Sequence, residues 1–185
     1  MQSVEKPKTP NEKKGRALRP QEIQSLLANA EDETTRLILL MGILTGMRRG
    51  ELFGLWWEDI DWRHDVVRVR RALYWRHVKY VRPAEGEPYT FVEPKSKTSI
   101  REIDLSPALK TKLRQYSLAG ATTEQIVSGS PRTGLVFSTA KRKPMDPNAF
   151  LRRHFARAVA AAELGELRFH DLRHTFGSMK IEDIC

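Results

Sequence analysis

The first recurring pattern of apolar positions is helical. Ile23, Leu26 and Leu27 repeat at i, i+3 and i+4 behind Pro20, a residue suited to a first helical turn. From about Thr34 to Thr45 the positions Leu37, Ile38, Leu39, Leu40, Met41, Ile43 and Leu44 leave no polar face, so this helix is expected to be buried all round. Gly46 ends it, and a short helix from about Arg49 to Leu55 follows, leading into Trp56, Trp57 and Trp62. The period changes at Val66. Val67 and Val69 alternate with Arg68 and Arg70, and with Phe91-Val92 and Ile103 to Leu105 they predict a small antiparallel sheet, interrupted by a loop over residues 82–88.

Helical spacing returns at Leu105, Leu109, Leu113 and Tyr116, where Ser106 caps and Pro107 takes the first position. After a turn region between Gly129 and Gly134 and a short apolar run, Leu135 to Phe137, Asp146-Pro147 opens another helix by the same chemistry. Its apolar face is Leu151, Phe155, Ala158, Val159 and Ala162, and a last helix begins near His170. Helices, then a small sheet, then helices predict a mainly helical α+β domain with the sheet at one edge.

Charge changes the picture. The chain has 185 residues with 32 Lys and Arg against 23 Asp and Glu, a formal charge of +9. That length suits one domain, and a strongly basic balance favours a polyanionic partner. No apolar stretch approaches the ~20 residues a membrane span needs, no secretory leader is visible, and the single cysteine, Cys185, permits no internal disulfide. No membrane association is expected, and a cytoplasmic location is. Residues 1–19 read as a basic flexible arm or linker remnant, either simply solvated or in contact with DNA, and residues 20–185 as the domain.

Three clusters carry candidate chemistry. In Thr45-Gly46-Met47-Arg48-Arg49-Gly50-Glu51-Leu52 an apolar helix stops at two arginines, and Glu51 lies within reach of Arg48, three residues away. That spacing suits either a plain ion pair or a carboxylate that holds a guanidinium toward an anionic ligand. Pro94 to Arg101 is a polar turn carrying Lys97 between two strand-like runs. In His170-Asp171-Leu172-Arg173-His174, His170 and Arg173 share a helix face while Phe169, Leu172 and Phe176 mark the other face as buried. Basic stripes accompany them. Residues 66–84 hold Arg68, Arg70, Arg71, Arg76, Lys79 and Arg82 and no acid, and a second group is Lys141, Arg142, Lys143, Arg152, Arg153 and Arg157. From these, Arg68, Arg70, Arg71, Lys141, Arg142, Lys143, Arg152 and Arg153 are expected to contact phosphates.

Taken together, the strings TGMRRGEL, SKTSIREIDL and HDLRHTF resemble the tyrosine recombinase, or phage integrase, family, and the resemblance extends from about Leu18 to Ser178. It implies the catalytic-domain fold of that family and DNA strand breakage and rejoining through a 3′-phosphotyrosyl link, with no metal or other cofactor. Arg48 and Arg173 match the two guanidiniums that hold non-bridging phosphate oxygens, Lys97 the lysine that protonates the leaving 5′-oxygen, and His170 the acid/base histidine, with Glu51 as a supporting residue. Double-stranded DNA is the implied partner, with self-assembly on DNA in the full-length protein and a nucleoid-associated location.

One family residue is not matched. Tyr74, Tyr80, Tyr89 and Tyr116 all precede His170, whereas the family nucleophile follows the His-x-x-Arg string. The chain is therefore expected to be a catalytic domain incomplete at its C-terminus and unable to cleave as given. Two alternatives compete with this reading: a non-catalytic DNA-binding fragment of an integrase, and a zinc hydrolase built on His170 and His174 at i, i+4.

Overall fold

A computed structural model describes residues 15–76, 86–93, 100–121 and 133–178. Helix α1 (Pro20–Ala28) packs on α2 (Glu33–Thr45), which runs through the core. The start of α2 is set by Asp32, whose Oδ1 accepts the Thr35 backbone N–H at 2.7 Å, and its end by Gly46, at φ 56°. A left-handed residue stops a helix because the next carbonyl can no longer align with the ladder, and glycine takes that conformation without strain. Leu37, Ile38, Leu39, Met41 and Ile43 are all buried, as an apolar face on every side requires.

After α3 (Arg49–Phe53) and a 3-10 turn (Trp57–Asp59) come strands β1 (Ile60–Asp61), β2 (Val66–Val69), β3 (Ala72–Trp75), β4 (Tyr89–Val92) and β5 (Arg101–Asp104). The expected single sheet is two. Strands β1, β2 and β5 form an antiparallel sheet in which Val67 faces Ile103 and Val69 faces Arg101, whereas Phe91 and Val92 pair with Leu73 and Ala72 in a separate β3–β4 ribbon. The physical cause lies in α3. A Cβ on Gly54 would stand 2.7 Å from the Leu73 amide nitrogen, and one on Gly50 would stand 2.9 Å from the Leu73 carbonyl oxygen. Two bare glycine positions thus let β3 lie directly on α3, which draws it away from β2.

Helix α4 (Pro107–Ala119) is capped by Ser106 and packs on α2. The run Leu135 to Phe137 is not a strand. Its Val136 amide donates to the Leu55 carbonyl and Leu135 makes an isolated bridge to Trp56, so it closes one side of the core. Helix α5 (Pro147–Phe150), capped by Asp146, continues through a π-helical stretch (Leu151–Phe155) into α6 (Ala156–Ala161), and α7 (Phe169–Ser178) crosses α2. Residues 15–18, assigned above to a flexible arm, are fixed against this last helix. Leu18 is buried, its amide donates to Thr175 Oγ1 at 3.0 Å, and Arg16 reaches Glu22 and the Leu164 carbonyl. Among the described residues no helix is long and apolar enough to cross a membrane.

Candidate functional site

The site is built where α2 stops. Gly46 turns the chain out of the core, Thr45 and Met47 remain buried, and Arg48 then precedes α3 with its side chain mostly in solvent. Glu51, one turn into α3, points back. Its Oε2 accepts the Arg48 backbone N–H at 2.7 Å and its Oε1 accepts Arg48 Nη1 at 3.1 Å. The carboxylate has a second cationic partner, supplied by the start of β5. Arg101 approaches it with both terminal nitrogens, Nη1 to Oε1 at 2.9 Å and Nη2 to Oε2 at 2.7 Å. Burial alone would raise the Glu51 pKa, but the Arg101 hydrogen bonds, and after them the Arg48 backbone N–H, hold it below the ordinary carboxylate value. One buried anion therefore sits between two guanidiniums, and the cluster keeps a net positive charge.

The third guanidinium arrives on α7. This helix can cross α2 closely because Gly42 and Gly46 carry no side chains. A Cβ on Gly42 would lie 3.1 Å from Leu172 Cδ1, and one on Gly46 only 2.5 Å from Phe176 Cδ1. Between these contacts Arg173 donates from Nη1 to the carbonyl oxygen of Gly46, two residues before Arg48. Arg101 and Arg173 line one groove of about 660 Å³ together with Thr45, Gly46, Ser106 and Phe176. Arg173 and Arg101 are thus brought to the end of α2, two residues before Arg48, although Arg48 itself does not line this groove.

His170 stands exposed in the first turn of α7, its ring edge-on to that of His174 with centroids 5.0 Å apart. It does not line the groove. Lys97 lies outside the described residues. A zinc site on His170 and His174 would also need the carboxylate that follows His170, Asp171, to reach a metal-bound water. This carboxylate is buried and turned to Arg168, accepting from its backbone N–H at 2.9 Å and from its Nη2 at 2.8 Å, so it is committed to starting α7. No group of three or more potential metal-ligating His, Cys, Asp or Glu residues occurs among the described residues. None of the tyrosines described lines the groove either: Tyr74 is exposed on β3, Tyr89 stacks on Trp75, and Tyr116 packs against Phe137.

The basic stripes separate into two kinds. Arg68 ties strands together, reaching Glu102 and Asp61 at 2.8 Å each. Arg71 bonds Asp59 at 2.9 Å and lies over the Trp56 ring, Arg70 stands 3.9 Å from the same carboxylate, and Lys143 reaches Glu87 at 2.8 Å. Lys141, Arg142, Arg152 and Arg153 are exposed and have no carboxylate partner among the described residues. Arg101 is the residue that sequence reasoning passed over. No local signal marked it: only with Glu51 seen to be buried beside one exposed arginine does the need for a second cation become evident.

The phage integrase family model matches residues 16–183. This chain belongs to the phage integrase family. Among curated relatives, a tyrosine recombinase XerC-like protein of Caldanaerobacter subterraneus subsp. tengcongensis is 27% identical over 169 residues, covering 88% of this chain and 42% of that protein. The prophage integrase IntR of Escherichia coli K12 is 32% identical over 95 residues, 51% of this chain and 20% of its own length. The integrase-family chain thus spans less than half the length of these relatives. In structure it is similar to the Tn1549 transposon integrase in complex with circular intermediate DNA, with a TM-score of 0.68 at 21% identity, covering 89% of this chain and 53% of the other. It is also similar to the XerA recombinase, with a TM-score of 0.61 at 21% identity, covering 93% of this chain and 51% of the other. The fold is that of the tyrosine recombinase catalytic domain, α+β as expected.

Proposed function

We propose that this chain is the catalytic domain of a site-specific DNA recombinase and that its groove binds the phosphodiester that is cut and rejoined. The observation that supports this reading is that Arg173 bonds the Gly46 carbonyl at the end of α2, two residues before Arg48, in a groove it lines together with Arg101. Phosphoryl transfer accumulates negative charge on the non-bridging oxygens, and fixed guanidiniums stabilise it because they are always protonated and fork toward two oxygens at once. In this reading His170, exposed at the start of α7 and outside the groove lining, serves as the acid/base group, and Lys97 delivers the proton to the leaving 5′-oxygen. The attacking hydroxyl is a tyrosine in this reading. The exposed cations Lys141, Arg142, Arg152 and Arg153 track the flanking backbone of double-stranded DNA, on which the full-length protein self-assembles. Arg68, whose guanidinium bridges two carboxylates of its own sheet, contributes little to that contact.

The test is binding to a duplex across a salt series. Affinity falls steeply with salt, with a slope near −0.9 per phosphate contact in log K against log salt. Replacing both Arg152 and Arg153 by alanine flattens the slope by up to about two units. Affinity that is the same at low and high salt defeats the proposal. A salt-dependent affinity that survives intact in Arg48→Ala and Arg173→Ala leaves only a DNA-binding fragment.

A further inference from the structure

We propose that Arg101 is a positioning residue for the phosphate site: through the buried carboxylate of Glu51 it fixes the guanidinium of Arg48. The inference rests on the phosphate-binding reading of the groove and deepens it.

Arg48 is poorly placed to hold itself. Its side chain is 65% exposed, and its one side-chain hydrogen bond to a described residue goes to Glu51 Oε1. An exposed i,i+3 pair of this kind is weak, because a long side chain gives up many rotamers for an attraction that water largely screens. Order has to come from the partner. Glu51 is only 9% exposed, and each of its oxygens accepts once from Arg48 and once from Arg101. The Arg101 contacts are the planar two-pronged kind, which sets the rotation of the carboxylate as well as its location. That rotation aims Oε1 at Arg48 Nη1 and Oε2 at the Arg48 amide, so the same carboxylate fixes where α3 begins and where its first guanidinium rests. The charges agree with this role. Two guanidiniums on one carboxylate leave a single net positive charge, at a place where an anion is to be bound. Arg101 is itself fixed through its backbone, which pairs with Val69 in the sheet.

A direct contact between Arg101 and phosphate is the competing account, since Arg101 lines the groove together with Arg173. Arg101→Lys separates the two, because lysine keeps the charge but offers one nitrogen where the fork offers two. In the full chain, order of the Arg48 Nε–H group is read by side-chain nitrogen relaxation without DNA. It falls in Arg101→Lys, and it falls further in Arg101→Gln. Duplex affinity in Arg101→Lys falls about fivefold, the loss of roughly one charge-assisted hydrogen bond's worth of phosphate binding. In a Glu51→Gln background the same lysine substitution changes affinity less than twofold, because the carboxylate through which Arg101 acts is already gone.

Arg48 order equal to that of the parent chain in both Arg101 variants, both folded by their melting curves, overturns the proposal. So does an equal fivefold loss with and without Glu51, which assigns Arg101 to the phosphate directly. A parent chain that binds no duplex defeats the phosphate-site reading instead, and the relaxation measurement still decides whether Arg101 fixes Arg48.

Discussion

Gly46→Ala tests whether the crossing of α7 over the end of α2 depends on a bare glycine. Two costs add. At φ 56° an L-residue loses ~1–2 kcal/mol to its own backbone. The new Cβ would also stand 2.5 Å from Phe176 Cδ1, 3.0 Å from Cγ and 3.3 Å from Cβ. Because the Phe176 Cβ is itself close, turning the ring does not clear the space, and the whole side chain or the helix must move. Phe176 is already 41% exposed. Ejecting it therefore forfeits about half of a full aromatic burial, ~1–1.5 kcal/mol.

Gly165 supplies the control. Its φ is 65°, but a Cβ there meets nothing within 4 Å, so Gly165→Ala carries the backbone cost alone. Urea unfolding should show Gly46→Ala less stable than Gly165→Ala by ~1–1.5 kcal/mol, about 2–6 °C as a melting difference for a domain of this size. In a Phe176→Ala background that excess disappears, since the obstructing atoms are gone. Duplex affinity should fall in Gly46→Ala and hold in Gly165→Ala, because only the former displaces the carbonyl that Arg173 bonds. Equal unfolding midpoints for the two alanine variants, or an excess that survives Phe176→Ala, would refute the reasoning that Gly46 is needed for close approach.

Two buried carboxylates should respond to pH in opposite directions. Glu51 has a folded pKa below its unfolded value, so its stabilisation is present above about pH 4.3 and is lost as pH falls through the folded pKa. Asp59 is pushed up, chiefly by burial, with one oxygen lacking a hydrogen-bond partner among the described residues, so the corresponding contribution exists below about pH 3.9 and is lost as pH rises through the folded pKa. Urea midpoints should therefore show the penalty of Glu51→Gln, ~2–3 kcal/mol at pH 7, shrinking toward pH 4, and the smaller penalty of Asp59→Asn growing over the same interval; penalties that move together contradict the assignment. Asp171→Asn should cost ~1–2 kcal/mol, or about 2–8 °C in thermal melting, by weakening the Arg168 contacts at the start of α7. A change under 1 °C would mean that the cap is not needed.

Much of the helical frame was legible because its signals are local. Ser106, Asp146 and Gly46 act on backbone groups within a few residues of themselves, so reading them needs no knowledge of the fold. The Arg48–Glu51 pair was legible for the same reason, and so was the alignment of His170 and Arg173 on one helix. Arg101 was not. Its importance comes from Glu51, fifty residues earlier, and only the packing of β5 beside α3 brings the two together. The separation of β3 from β2 was hidden likewise, since residues 66–75 have continuous strand character and the cause, the bare backbone of Gly50 and Gly54, lies in α3 and the residue that ends it.

The acid-free stripe from Val66 onward shows the same limit in electrostatic form. Along the chain its arginines look uncompensated, and the expectation that all of them face phosphate follows from that. In space Asp59 comes from the preceding 3-10 turn, Asp61 from β1 and Glu102 from β5, so Arg68, Arg70 and Arg71 each find a carboxylate. Antiparallel pairing places the counter-charge on a neighbouring strand, at a sequence distance set by the loop between them. Helical pairs repeat at three or four residues and can be counted directly. A basic run read as sheet is therefore weaker evidence for a polyanion than one on an exposed helix or turn, where no neighbouring strand supplies the acid. By that criterion Lys141, Arg142, Arg152 and Arg153 are the cations on which the salt dependence of binding should rest.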